Sequence, residues 1–434
     1  MTRRSASAAI PLIALLAACG SDPDPAQYGA APGLPEPAEP LLPAMAIAKP
    51  KGFNGARPTV PAGYRIEAIA TGLKIPRQTL VLPNGDILVA EGSGGKAPVL
   101  RPKDFVAGRI KQRGKTPVKG GNRLTLLRDA DGDGRYELQE TFADRLDAPY
   151  GLALVGGGLF VANQGAVVRF DYAPGQTRAS GPPTLLTDLP SEINHHWTKA
   201  MTASADGRFL YVGIGSNSNI GERGMAAEQD RAMVWQIDVV TGAHKPFAGG
   251  LRNPTALTIQ QGTGALWAAV NERDELGANL VPDYVTSVRS GAFYGWPYSY
   301  WGKTVDVRAK PGDAKKVAAA IAPDYSLGSH HAPLGLAFSV PAMGARFAEG
   351  LFVGEHGSWN RKTPVGYRVI FIPFSGGRPA GNPVEFVSGF FSDGTARGRP
   401  VGVTIDPRGA LIVADDVANT IWRVTPVAPD PAPG

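Results

Sequence analysis

A two-strand pattern recurs six times along the chain, at 76–92, 149–165, 196–216, 253–271, 333–357 and 400–416. In each copy an apolar strand meets a short break carrying Gly, Asp or Pro, then a second strand ending in small residues. Leu80-Val81-Leu82-Pro83-Asn84-Gly85-Asp86-Ile87-Leu88-Val89-Ala90 and Val403-Thr404-Ile405-Asp406-Pro407-Arg408-Gly409-Ala410-Leu411-Ile412-Val413-Ala414 both read strand, tight turn, strand. Further β-rich stretches, such as Val167-Val168-Arg169-Phe170, follow most copies. A hairpin cannot bury its own faces, so repeated units must stack. Two strands plus two more per unit, set around a ring, predict an all-β, six-bladed β-propeller over residues 60–425. The 55 glycines and 39 prolines, with only 19% charged residues, suit short strands joined by turns. Units spaced irregularly, by roughly 50 to 85 residues, leave room for long loops between blades.

The ends of the chain have a different character. Arg3 and Arg4 precede a short apolar run, and Leu16-Ala17-Ala18-Cys19 ends in the only cysteine. The run is too short to span a bilayer and has the form of a cleaved export signal. The string resembles a bacterial lipobox, which implies lipidation of Cys19 and an extracytoplasmic, lipid-anchored protein. Gly20 after the cysteine favours the outer membrane. Residues 20–59 are Pro/Ala-rich and predict an extended, disordered tether, and 426–434 a similar tail. The net charge of +6 is dispersed rather than clustered, so no nucleic-acid footprint is expected.

Propellers bind ligands at the central channel, where the first strand of each blade begins. Asn194-His195-His196-Trp197-Thr198-Lys199 precedes the third hairpin. Neutral imidazole is the usual base near pH 7, and a cation such as Lys199 would disfavour its protonation. The same string also fits a surface loop with solvated histidines. Leu251-Arg252-Asn253-Pro254 opens the fourth hairpin. Glu355-His356-Gly357-Ser358-Trp359-Asn360-Arg361-Lys362 closes the fifth, and Arg397-Gly398-Arg399-Pro400 opens the sixth. Arginines at equivalent ring positions demand a multiply anionic ligand. Glu272 and Asp274, within Asn271-Glu272-Arg273-Asp274-Glu275, offer oxygens to a hard cation. Phe293-Tyr294-Gly295-Trp296-Pro297-Tyr298 has the makings of an aromatic wall. A separate run, Asp129-Ala130-Asp131-Gly132-Asp133-Gly134, fits a twelve-residue calcium loop. Its expected ligands are Asp129, Asp131, Asp133, the Arg135 carbonyl and Glu140.

Together these strings resemble the family of pyrroloquinoline-quinone-dependent glucose/sorbosone dehydrogenases, nearest its sorbosone branch. The resemblance covers roughly 60–425 and implies the same six-bladed fold. It rests on His196-Trp197-Thr198, Leu251-Arg252-Asn253-Pro254, Asn271-Glu272-Arg273-Asp274, Tyr294-Gly295-Trp296-Pro297, His356-Gly357-Ser358-Trp359-Asn360-Arg361 and Gly398-Arg399-Pro400. It implies oxidation of a sugar or aldose, with pyrroloquinoline quinone and calcium as cofactors and an electron acceptor left unidentified. His196 would be the catalytic base, with Lys199 as the basic residue after it. Arg252, Asn253, Arg397 and Arg399 would hold the cofactor. Glucose-specific members use a Gly-Pro for calcium where this chain has Glu272-Arg273. They also carry a cofactor-binding lysine on the fifth blade, near Gly357 here, for which Arg361 or Lys362 would substitute. Two other readings compete: a calcium-dependent lactonase-type propeller hydrolase and a non-catalytic binding propeller. A lactonase site needs carboxylates and amides around one calcium, not arginines.

Overall fold

Short turns organise the chain into antiparallel meanders. Gly156 and Gly157 both adopt positive φ (53° and 76°), closing a two-residue hairpin between the strands Gly151–Val155 and Gly158–Ala162. The computed structural model describes residues 25–38 and 45–427; the expected leader, Cys19 and the tail beyond 427 lie outside the described residues. Six of the sheets have four or more strands. Each of the six expected hairpins forms the first two strands of one of these sheets: Pro76–Val81 with Ile87–Glu91, Gly151–Val155 with Gly158–Ala162, Met201–Ala203 with Phe209–Ile214, Pro254–Ile259 with Leu266–Val270, Pro333–Phe338 with Gly350–Glu355, and Pro400–Ile405 with Leu411–Asp415. Proline opens four of the first strands, where no ladder donor is needed. In those four the register shifts near that same end, so the strand bends as it enters the crowded centre.

Alternate residues of the strands face opposite neighbours, and both faces are buried. Ile87 and Val89 pack with Ile412, Ala414 and Ile421 of the sixth sheet. Leu88 and Ala90, one residue along, pack with Leu152, Leu159 and Val161 of the second. The same arrangement continues between second and third sheets, third and fourth, fourth and fifth, and fifth and sixth. The first strands touch their neighbours in chain order, and Pro400–Ile405 returns to touch Pro76–Val81. The ring is therefore closed, in the manner of a propeller. Its last sheet takes its outer strand from the other end of the chain: Tyr64–Ala70 pairs antiparallel with Thr420–Pro426. Only two short α-helices occur among the described residues, and no helix there is long and apolar enough to cross a membrane.

Two segments depart from the simple ring. The stretch expected to be a disordered tether is docked at several points where it is described. Tyr28–Gly29 adds a strand to the fourth sheet opposite Leu327 and Ser326, and Lys49–Pro50 pairs with Thr395–Ala396. Gln27, Ala48 and Phe53 are buried. The cause is specific pairing: Tyr28 Oη reaches His331 Nε2 at 3.1 Å, and Phe53 meets Phe390 and Trp422 edge-on. The second departure is the long connection between Ile87–Glu91 and Arg123–Arg128 in the first sheet. It carries the helix Pro102–Lys111, started by Pro102 and by Asp104, whose carboxylate takes the Arg101 N–H at 3.2 Å. This insertion reaches Asn194 through Lys96, Arg223 through Pro98 O, and Glu275 through Arg101. It thus crosses from the first sheet to loops of the third and fourth.

Candidate active site

The loops that enter and leave the inner strands of the third, fourth and fifth sheets converge on a cavity of about 250 Å³. His195 and His196 come from the loop before the third sheet. Arg252 and Asn253 precede the fourth, and Asn271, Glu272 and Asp274 follow its second strand. His330 and Ala332 lead into the fifth sheet, and Trp359 and Asn360 follow that sheet's second strand. Lys111 enters from the insertion. Gly215 lets two of these side chains meet, because a Cβ there would overlap Asn253 Oδ1 and His196 Cβ.

The tautomer of His196 is set at Nδ1, which lies beside Ser216. Its Nδ1 lies 2.7 Å from Ser216 O, a carbonyl that can only accept, so Nδ1 carries the proton. Nε2 is then the unprotonated nitrogen, on a ring that lines the cavity. Burial holds His196 well below the ordinary imidazole range, aided by the charge of Arg252. The same two causes act in the same direction on His195, whose side chain is more open to solvent. Lys199 does not take part. Its amine is fully buried behind the loop, donating to Asn194 Oδ1 at 3.1 Å and Trp197 O at 3.0 Å, and it does not line the cavity. The expectation that Lys199 keeps the base neutral is corrected: the cation that does so is Arg252.

Arg252 is buried in a cradle of acceptors. Nε donates to Asn219 O (3.2 Å), Nη1 to Glu272 O (2.7 Å) and Nη2 to Asn219 Oδ1 (3.0 Å). It is a fixed positive charge with most of its donors engaged. Asp274 accepts from Asn360 Nδ2 at 2.6 Å and lies 3.8 Å from Arg252 Nη2. Glu272 lines the cavity too, with Oε2 turned to Arg273 Nε at 3.0 Å. Asp283, a third carboxyl in the wall, is pushed up to about 8 by burial.

Three expected cofactor arginines lie elsewhere. Arg361 is buried and donates to the carbonyls of Ala278, Ser329 and Thr363, so it ties loops together. Arg397 does not line the cavity. Arg399 stacks on Tyr367, with Nη2 3.3 Å from the phenol oxygen. It belongs to a neighbouring polar cluster in which Asp416 accepts from His356 Nε2 (3.1 Å) and Arg77 Nη1 (2.9 Å). In the acidic loop, Asp129, Asp131 and Asp133 do gather, but Glu137 completes the group. Glu140 sits on the strand Leu138–Ala143 and is paired with Arg178 at 2.9 Å. Arg135 donates its N–H to Asp133 Oδ1 at 2.7 Å. Sequence reasoning missed His330 and Lys111. His330 stands just before an inner strand, so the rule that singled out His196 and Arg252 also covers it.

Residues 59–291 match the family model described as a domain of unknown function, DUF7133. The chain belongs to this family. Residues 303–427 match a second model, TrAA12-like. Among curated relatives, an uncharacterized protein of Borreliella burgdorferi is 31% identical over 222 residues, covering 50% of this chain and 56% of that protein. The pyrroloquinoline quinone-dependent pyranose dehydrogenase of Coprinopsis cinerea is 25% identical over 358 residues, covering 72% of this chain and 44% of that protein. The chain spans about half the length of the curated relatives it matches. Its fold is that of the quinone domain of the Coprinopsis pyranose dehydrogenase, at TM-score 0.69 and 20% identity, covering 89% of this chain and all of that one. A Trichoderma reesei carbohydrate-active enzyme of family AA12 aligns at TM-score 0.69 and 19% identity, covering 88% and 99%. The quinone-bound aldose sugar dehydrogenase of Streptomyces coelicolor aligns at 0.55 and 17%, covering 85% and 99%.

Proposed function

We propose that this protein is a six-bladed propeller that oxidises a sugar or aldose, using pyrroloquinoline quinone and calcium. The observation that carries the reading is His196: a part-buried imidazole in the cavity wall, with its tautomer set by Ser216 O so that Nε2 is the unprotonated nitrogen. The resemblance in sequence and the quinone domains among the structural neighbours support the cofactor. Six large sheets and six interfaces between them support the blade count.

The donor set suits such a group. Arg252 and Lys111 give the cavity cationic walls, and Glu272 and Asp274 give it an anionic one. Asn253 Oδ1 and Asn360 Oδ1 are buried with no partner, and both residues line the cavity. Unpaired buried acceptors of this kind suit a hard cation or a ligand N–H. When bound, the quinone would supply the hydride acceptor and calcium its polarisation. The protein's own part falls to the side chains. His196 Nε2 takes the proton from the sugar hydroxyl as the C–H bond breaks, and Ser216 O holds the ring in place and stabilises the cation that forms. Arg252, fixed by acceptors of Asn219, Asn271 and Glu272, keeps His196 deprotonated between turnovers. Among sugars we favour a sorbosone-like substrate, on the strength of the motif strings. The leader and Cys19 support a lipid-anchored, extracytoplasmic location, and the Asp129–Glu137 cluster supports a second, structural cation. The test is dye reduction by purified protein given quinone, calcium chloride and a panel of aldoses. Aldose-dependent reduction that requires the quinone is expected; none with any aldose at saturating quinone overturns the reading.

A further inference from the structure

Resemblance puts a cofactor-binding lysine on the fifth sheet, and the two candidates there do not serve. Arg361 is spent on carbonyls of Ala278, Ser329 and Thr363, and Lys362 does not line the cavity. A lysine is nevertheless present in the cavity wall, brought by the insertion in the first sheet. Lys111 ends the helix Pro102–Lys111 of the insertion, and its Nζ stands 3.3 Å from the centroid of the Trp359 ring. It shares the cavity with His195, His196, Arg252 and Asn360.

The surroundings leave this amine undercompensated. Asp104 and Glu275, two carboxylates whose charge it feels, are paired with Arg101 at 2.8 and 3.1 Å. Asp274, the third, is held by Asn360 Nδ2. Among the described residues no carboxylate forms an ion pair with Lys111, whose recorded polar contact is the Trp359 ring. Burial accordingly lowers its pKa, against the pull of Asp274. An ammonium has three donors and no acceptor. Of the two cations in the wall, Arg252 has its donors engaged and Lys111 does not. A bound carboxylate would supply the missing counter-charge.

We propose that Lys111, carried over the channel mouth by the insertion, is the cation that pairs with a carboxylate of the quinone. This rests on the functional reading above. It makes the insertion part of the cofactor site, and it moves the role assigned to the fifth sheet onto the first.

The experiment is equilibrium binding of pyrroloquinoline quinone, and separately of its trimethyl ester, in calcium chloride, followed by quinone absorbance. Losing a charge-assisted pair in a buried site should weaken binding of the free acid to Lys111→Met by about 10- to 100-fold. Lys111→Arg keeps the charge and should stay within roughly threefold of wild type. For the trimethyl ester, which has no anionic carboxylate, wild type and Lys111→Met should bind alike. Equal affinity of wild type and Lys111→Met for the free acid overturns the proposal. So does an equal loss for acid and ester, which would mean that Lys111 merely seats the insertion on Trp359. Wild type that binds neither form overturns the functional reading, and this inference with it.

Discussion

At the scale of single residues, the site is governed by burial. His196 is kept neutral because its part-buried ring is poorly solvated and Arg252 adds its charge. Its folded-state value lies below the ordinary imidazole value near 6.5. As pH falls through 6.5 the unfolded chain takes up a proton that the folded chain refuses, and stability is lost. The melting temperature of wild type should therefore fall between about pH 7 and pH 4.5, and that of His196→Gln by less. Identical pH profiles would show that His196 is not held neutral. His196, Arg252, Asn253 and Asp274 were legible because each sits in a string at the start or end of an inner strand. Lys199, Arg361, Arg397 and Arg399 sit in the same strings, yet their side chains leave the cavity. Sequence proximity places a backbone near the channel, but long flexible side chains then follow the nearest acceptors: Asn194 for Lys199, the Ala278 carbonyl for Arg361. Lys111 could not be found this way, since it arrives from a different sheet.

At the scale of elements, the hairpins were readable because their information is local: alternating apolar residues and a turn of two to four residues. The strap at 25–38 was not, because its partners are remote and its composition carries no period. Its contacts make a testable claim. The amide of Tyr28 or Gly29 should show hydrogen-exchange protection comparable to the edge strand Tyr325–Ser329 it joins. Exchange at the rate of an unstructured peptide throughout 25–38 would contradict the docking. The acidic loop offers a second contrast at this scale. Glu137 lies with Asp129, Asp131 and Asp133, whereas Glu140 is committed to Arg178. Strand geometry explains the shift: Glu140 falls inside Leu138–Ala143, where the backbone is already paired. If calcium binds the loop, Glu137→Gln should abolish the rise in melting temperature on adding calcium chloride, and Glu140→Gln should leave it intact. A calcium response that is lost in Glu140→Gln and retained in Glu137→Gln would restore the sequence expectation.

At the scale of the whole molecule, closure of the ring brings residues from 195 to 360 around one cavity. That closure depends on Tyr64–Ala70 completing the sheet that ends with Thr420–Pro426. Removing residues through Ala70 would leave the edge of Thr420–Pro426 unpaired and uncover Ile421 and Trp422, both buried. Such a protein should lose its single cooperative melt, whereas one beginning near residue 60 should keep it; an unchanged melt without Tyr64–Ala70 would contradict the closure. The central claim is that the closed ring positions His196 to deprotonate a sugar. It is tested most directly by mixing protein loaded with quinone and calcium with an aldose, without dye or oxygen, and following loss of the oxidised quinone absorbance. Wild type should bleach about one quinone per chain, and His196→Gln, with the quinone still bound, should do so roughly 10² to 10⁴ times more slowly, the usual worth of a positioned base. Bleaching at the wild-type rate in His196→Gln would contradict the account.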